Sequence, residues 1–255
     1  MTTNTDARAT SKRARVGRSF AWLAVVVGLV CAAAALLAGP GYRMELLSLS
    51  AGIQTIRWAA TFAVAGAIVA LVATGLLLVG GARRGWPVAA AALAINMLVA
   101  GPPLYMYREA QRLPHIHDVS TDTDNPPRFV AVVPLRKGAR NPVDYQPDTA
   151  AQQKKGYPDI APLMLDVAPA QAFERAQLAG RAMGWEIDAV APQDLRIEAT
   201  DTTLLFGFKD DVVIRITPQA QGSIVDVRSL SRVGGSDLGV NAKRIRVFMQ
   251  KVSAT

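Results

Sequence analysis

The chain has 255 residues, of which 51% are hydrophobic, and a formal charge of +8. Residues 1–107 hold nine Lys/Arg against Asp6 and Glu45, a net +7, whereas the remainder holds 19 basic and 18 acidic residues. Basicity confined to the apolar half argues against a nucleic-acid-binding face on the polar half.

In chain order, a basic tail (1–19) precedes three hydrophobic runs at 20–39, 58–81 and 86–107, so that 20–107 reads as three transmembrane helices. Cys31, Tyr105 and Tyr107 carry the only ionisable side chains in these runs. Each run matches the roughly 20 residues a helix needs to cross the hydrocarbon core of a bilayer. Trp22, Trp58, Trp86, Tyr105 and Tyr107 lie near the run ends, where amphipathic rings favour the headgroup layer. Arg8, Lys12, Arg13, Arg15 and Arg18 before the first run, with Arg83 and Arg84 between the second and third, outnumber Arg43 and Arg57 in the other connector. The positive-inside rule then places the N-terminus in the cytoplasm, and three spans export the rest. In a bacterium this is a multi-pass inner-membrane protein with a periplasmic C-terminal domain. The first run ends at Gly39-Pro40-Gly41 without a small-residue cleavage site, Val30 before Cys31 fits a lipoprotein box poorly, and adjacent arginines are missing from the tail. Cys31, the single cysteine, excludes an intrachain disulfide.

Within the spans Thr61, Thr74 and Asn96 and a break at 101–103 are the polar or irregular features, so an anchor or partner-docking bundle is favoured over a transport path. Gly66, Ala70 and Thr74 form a small-residue ladder suited to close helix packing. The connector 42–56 is amphipathic enough to lie along the outer membrane face.

Composition changes at Arg108. Residues 108–130 read as a polar juxtamembrane arm and 131–255 as an α+β domain. The spacing predicts a short strand at 128–135, a proline-bounded helical turn at 146–160 and a helix from Pro169. That helix turns Ala172, Phe173, Ala176, Ala179, Ala182 and Met183 inward and stops at Gly184. Strand patterns follow at 185–190, 194–200, 203–208, 211–217 and 223–229, with a last helix after Gly234-Gly235. The order implies a two-layer α+β sandwich, an antiparallel sheet with helices covering one face. In the hairpin 212–229, matching Val212, Ile214 and Ile216 with Val225 and Val227 allows only odd-sum pairings. These set either Arg215 opposite Asp226 or Asp211 opposite Arg228, as an exposed ion pair on the solvent face.

The stretches "FGFKDDVVIRI" and "VDVRSLSRVGGSDLGVNAKRIR" resemble the hallmark of the bacterial family catalogued as domain of unknown function 1499. "IHDVSTDTDNPPRF" and "GYPDIAPL" are similar to the branch with a membrane-spanning N-terminal half, and the resemblance covers residues 113–249. Relatives often carry a cysteine in a "PNCVSS"-like segment where this chain has Asp124-Asn125-Pro126-Pro127, so the resemblance implies no thiol chemistry. It implies a domain and no established activity.

Three sets of residues are candidates for a site. Arg228, Ser231, Arg232, Gly234, Gly235, Ser236, Asn241, Lys243 and Arg244 surround a Gly-rich turn feeding a helix N-terminus, which suits an anion or a partner. Ser236 as N-cap and Asp237 in the first helical turn would occupy the same donors. A latch is therefore favoured, with Leu238, Ile245, Phe248 and Val252 buried and Asn241 bonded to the Gly234-Gly235 backbone or a sheet edge. Asp210 and Asp211 form a carboxylate pair whose side chains, adjacent in a strand, point to opposite faces. His115, His117 and Asp118 form an H-x-H-D cluster; in an extended segment the two imidazoles share a face and could hold a divalent metal such as zinc only with Asp or Glu completing the shell. No nucleophile motif and no cofactor-binding motif is present. The expected role is binding of an envelope protein partner or anionic ligand; the alternative is a metal- or carboxylate-dependent periplasmic hydrolase.

Overall fold

The computed structural model describes residues 4–254, with side chains from Arg8 onward, and divides into two units, Met1–Arg108 and Glu109–Thr255. The first three residues of the basic tail lie outside the described residues.

The first unit holds α1 (Asn4–Arg43), α2 (Leu49–Val79) and α3, which spans Trp86–Ala110 and ends just past the unit boundary. All three are long and apolar enough to cross a membrane. The connector expected along the membrane face is instead a tight turn at 44–48. Ser48 caps α2 by accepting from the Ala51 N–H at 3.1 Å, and the amphipathic residues after it continue the helix. Nor does α3 break at 101–103; it runs on through Pro102 and Pro103, as apolar helices do where neighbours re-satisfy the freed carbonyls.

Alanines bring the three helices together in layers, one of Ala24, Ala70 and Ala92 and another of Cys31, Ala59, Ala63 and Ala100. Small side chains let the backbones approach without a hydrophobic drive between helices. Of the expected ladder, Gly66 and Ala70 are buried, while Thr74 turns its hydroxyl back to the Ala70 carbonyl. Asn96 is the buried polar residue of the bundle, and its amide donates to the carbonyls of Ala24 at 2.9 Å and Ala92 at 2.8 Å. Gly28 and Gly66 make room for it, since a Cβ on either would meet the Asn96 carboxamide.

In the second unit a six-stranded antiparallel sheet has the order β1-β6-β5-β4-β3, and β2 also pairs with β6. The strands are β1 (Asp118–Ser120), β2 (Leu163–Leu165), β3 (Glu186–Ala191), β4 (Arg196–Thr202), β5 (Lys209–Pro218) and β6 (Ser223–Ser231). Helices α5 (Pro169–Ala182) and α6 (Val240–Ala254) pack on one face, and a shorter α4 (Pro147–Gly156) contributes Gln153, which bonds Ser120 of β1. Ala172, Phe173, Ala176 and Ala179 of α5 are buried as expected, but Ala182 is exposed. Trp185 stacks on Phe248 with ring centroids 5.2 Å apart, over a floor of Ile197, Val212, Ile214 and Val227. This is the α+β fold read from the sequence.

The hairpin takes the first of the two allowed registers, with Ile214 opposite Val227 and Arg215 opposite Asp226. That face is not open to solvent, however. The segment 121–143 lies across it, and Phe129, Val132 and Val143 pack on Val213 and Leu230. The Arg215–Asp226 pair, at 2.8 Å, is therefore largely enclosed.

Two expected strands are absent. Residues 128–135 cross the sheet instead of joining it, because the Val130 and Val132 N–H groups both donate to Glu198 Oε2 at 3.0 Å; a single 3-10 turn (Val133–Arg136) follows. Residues 203–208 form the β4–β5 loop, closed by Thr203 Oγ1 accepting from the Phe208 N–H at 2.8 Å. Conversely, Asp118–Ser120, assigned to the arm, pairs with β6 and is part of the sheet.

Candidate functional site

Strand β6 carries the opening of the predicted site, and its alternation divides that site between two faces. Toward the arm, Arg228 meets Asp118 with Nε at 3.0 Å and Nη2 at 2.7 Å, and also donates to the carbonyls of Pro127 and Val143. Its guanidinium lies between the Phe129 ring at 5.0 Å and the Tyr145 ring at 5.3 Å. Burial pushes the Asp118 carboxyl above the usual carboxylate range while Arg228 pulls it back. On the same face Asp211 takes both Arg136 and Arg232, the latter at 2.7 Å. Thr200 donates its hydroxyl to Asp188 at 2.7 Å, and Asp188 sits where β3 shifts register against β4. Burial, and nearby Glu186 and Asp211, push the Asp188 carboxyl up.

Toward the helices, Asn241 is fully buried. Its amide donates to the His117 carbonyl at 3.0 Å and to Ser231 Oγ at 3.1 Å, and its Oδ1 accepts from Ser229 Oγ at 2.8 Å and from Arg244. Its partners are thus strand β6 and the arm, not the Gly234-Gly235 backbone. Arg244 reaches Asp210 at 2.6 Å and Asp201 at 2.8 Å. Asp210 and Asp211 are accordingly on opposite faces, each with its own arginines, and do not converge.

The Gly-rich turn is organised differently from the sequence reading. Ser236 does not cap the helix: α6 starts at Val240, and Asp237 accepts from the N–H groups of Gly239 at 3.0 Å and Asn241 at 2.6 Å. Ser236 Oγ only accepts from Leu238. Leu238, at positive φ (54°) ahead of the helix, is exposed and off the buried stripe. Gly234, at φ 94°, offers its carbonyl to Asn141, and Gly235 packs against the His115 ring. Lys243 is exposed. His115 and His117 belong to no group of three or more His, Cys, Asp or Glu that could hold a metal among the described residues.

The sequence reading missed Glu198, Arg136, Asp122 and Thr200, and grouped Asp118 with the two histidines where the structure pairs it with Arg228; all five are tied into these networks. Polar alternation in β4 and β6 was the signal, but it was assigned to solvent because nothing local showed that 121–143 would cover that face. The exposed part of this segment borders three cavities. One of about 370 Å³ is lined by Asp122, Asp124, Lys154 and Tyr157; one of about 320 Å³ by Asn125, Arg128, Arg196 and Arg215; one of about 480 Å³ by Asn125, Arg128, Tyr145 and Arg228.

Together these features define a membrane-type protein in which three apolar helices precede an α+β domain fastened by buried arginine–carboxylate pairs. The chain belongs to the family described as Protein of unknown function (DUF1499), whose model matches residues 118–252, more than half its length. The match opens on Asp118, the partner of Arg228, so the first strand lies inside the family's domain. No curated protein matches the chain.

Proposed function

We propose that the protein is a multi-pass component of a bacterial cytoplasmic membrane, with a cytoplasmic N-terminus and a periplasmic domain that works as a binding module for an envelope partner. The arrangement of the arm carries this reading. Residues 118–143 are pinned by Arg228, Arg215 and Glu198, so the stretch 121–130, in which Asp124, Asn125, Arg128 and Val130 are exposed, is a loop on a rigid scaffold, bordered by three cavities, which is where recognition residues concentrate. The arginines that a catalyst or anion pocket would use are committed instead to Asp118, Asp211, Asp210 and Asp201, which supports a latching role for them. Placement is tested with alkaline phosphatase fused after Thr255 in living cells, where activity is expected and a silent fusion overturns the periplasmic assignment. Binding is tested with a photo-crosslinking side chain in the full-length protein. A discrete adduct is expected from positions 125 and 128 and none from position 250 on the outer side of α6. Equal labelling from all three, or no adduct from the arm, removes the recognition role.

A further inference from the structure

The two ends of the sheet differ in exposed apolar surface and in charge. One end gathers the β4–β5 loop, the β6–α6 loop, the 3-10 turn and the start of β1, where the chain arrives from α3. Residues 111–117 separate Ala110 from Asp118, a connection that reaches at most roughly 28 Å when extended. At this end Leu204 is 92% exposed and Leu205 40%. Leu238 and Val240 are exposed in the β6–α6 segment, as are Val133 and Leu135, whose turn is held there by Arg232 donating to the Leu135 carbonyl at 2.9 Å. At the opposite end the turns 192–195 and 218–222 expose no large apolar side chain among the described residues, and the exposed ones beside them are Met164, opposite Ile224, and Val190.

The charge is equally one-sided. Lys137, Arg140, Arg181, Lys209 and Lys243 are all exposed around these apolar side chains, and none is in an ion pair among the described residues. Most carboxylates near them are turned inward. Asp201 and Asp210 go to Arg244, Asp211 to Arg232 and Asp237 to the α6 N–H groups, leaving Glu186 exposed. Apolar side chains ringed by lysine and arginine are what a surface resting on anionic headgroups presents.

We propose that this end of the domain is a lipid-facing surface. Leu204 and Leu205 enter the boundary between headgroups and acyl chains, and the five cations hold the headgroups of anionic phospholipids in the membrane that contains the spans. The inference rests on insertion of the spans and is independent of which side the domain occupies, so it stands or falls apart from the recognition role of 121–130.

The test uses the full-length protein with Cys31→Ser, carrying an environment-sensitive dye on Leu205→Cys or, as the control, on Gln219→Cys at the opposite end. It is reconstituted in nanodiscs of phosphatidylcholine or of an equimolar phosphatidylcholine–phosphatidylglycerol mixture whose headgroups bear a quencher. Quenching at 205 and none at 219 is expected in the anionic discs, falling about threefold in high salt, which screens exposed charges. Lys209→Gln with Lys243→Gln should lower it in the same direction; both side chains are exposed and unpaired, so the fold tolerates the change. If positions 205 and 219 are equally open to a water-soluble quencher in anionic discs, the proposal fails. It also fails if position 205 is shielded only in native membranes, an outcome that would make this end a protein-docking face.

Discussion

Replacing Arg228 by methionine tests the central fastening of the domain. The guanidinium is 3% exposed and bonds both oxygens of a carboxylate that is itself only 5% exposed. It also supplies the carbonyls of Pro127 and Val143 and lies between two aromatic rings. The variant strands Asp118 without a counter-charge, and breaking a buried pair from one side costs about 3–5 kcal/mol. With an unfolding slope near 2 kcal/mol/M in urea, the midpoint should drop by roughly 2 M. Pulse proteolysis of the full-length protein, following survival of the 109–255 fragment, reads this directly. Because burial already holds the Asp118 carboxyl above its ordinary value, the folded variant should bind that proton more tightly than the unfolded chain. Its stability should therefore recover as pH falls through the raised value towards the ordinary one near 3.9. Adding Asp118→Leu should restore most of the loss, since an apolar pair of similar volume replaces a buried ion pair at little cost. A single-variant cost under about 1 kcal/mol, the range of exposed pairs, would refute the fastening role.

Glu198→Gln should cost about 2–3 kcal/mol and speed hydrogen exchange specifically at Val130 and Val132, whose N–H groups lose a charged acceptor. In the membrane unit, Gly66→Ala should lower the melting temperature of the detergent-solubilised bundle through an overpacking cost of about 1–3 kcal/mol. Asn96→Ala alone should be mild and, combined with Gly66→Ala, should relieve the clash, because hydrogen bonds between spans average only about 0.6 kcal/mol. The Tyr157 phenol is buried without a hydrogen-bond partner, and burial with nearby Asp237 pushes it up to about 12. Its contribution to stability should be complete below the ordinary tyrosine value near 10 and be lost between pH 10 and 12; a phenolate absorbance titration completing near 10 would contradict this.

The sequence by itself determined whatever depends on neighbours within a few positions. Three runs of about 20 apolar residues can only be satisfied as helices in a bilayer or a core, and the period-2 and 3.6 patterns placed β3 to β6, α5 and α6. Side-chain parity alone restricted the hairpin to two registers, one of which forms. The long hallmark stretches carried the family. Tertiary structure alone decided which polar faces are covered. Arg228 and its partner Asp118 lie 110 positions apart, and Glu198 captures the Val130 N–H from 68 positions away. A local pattern cannot distinguish an arginine facing water from one facing a carboxylate delivered by a distant arm. For the same reason 128–135, strand-like in composition, gave its N–H groups to a buried carboxylate instead of to a neighbouring strand. The site residues were therefore legible as types and positions, while their roles were set when the arm closed over the sheet.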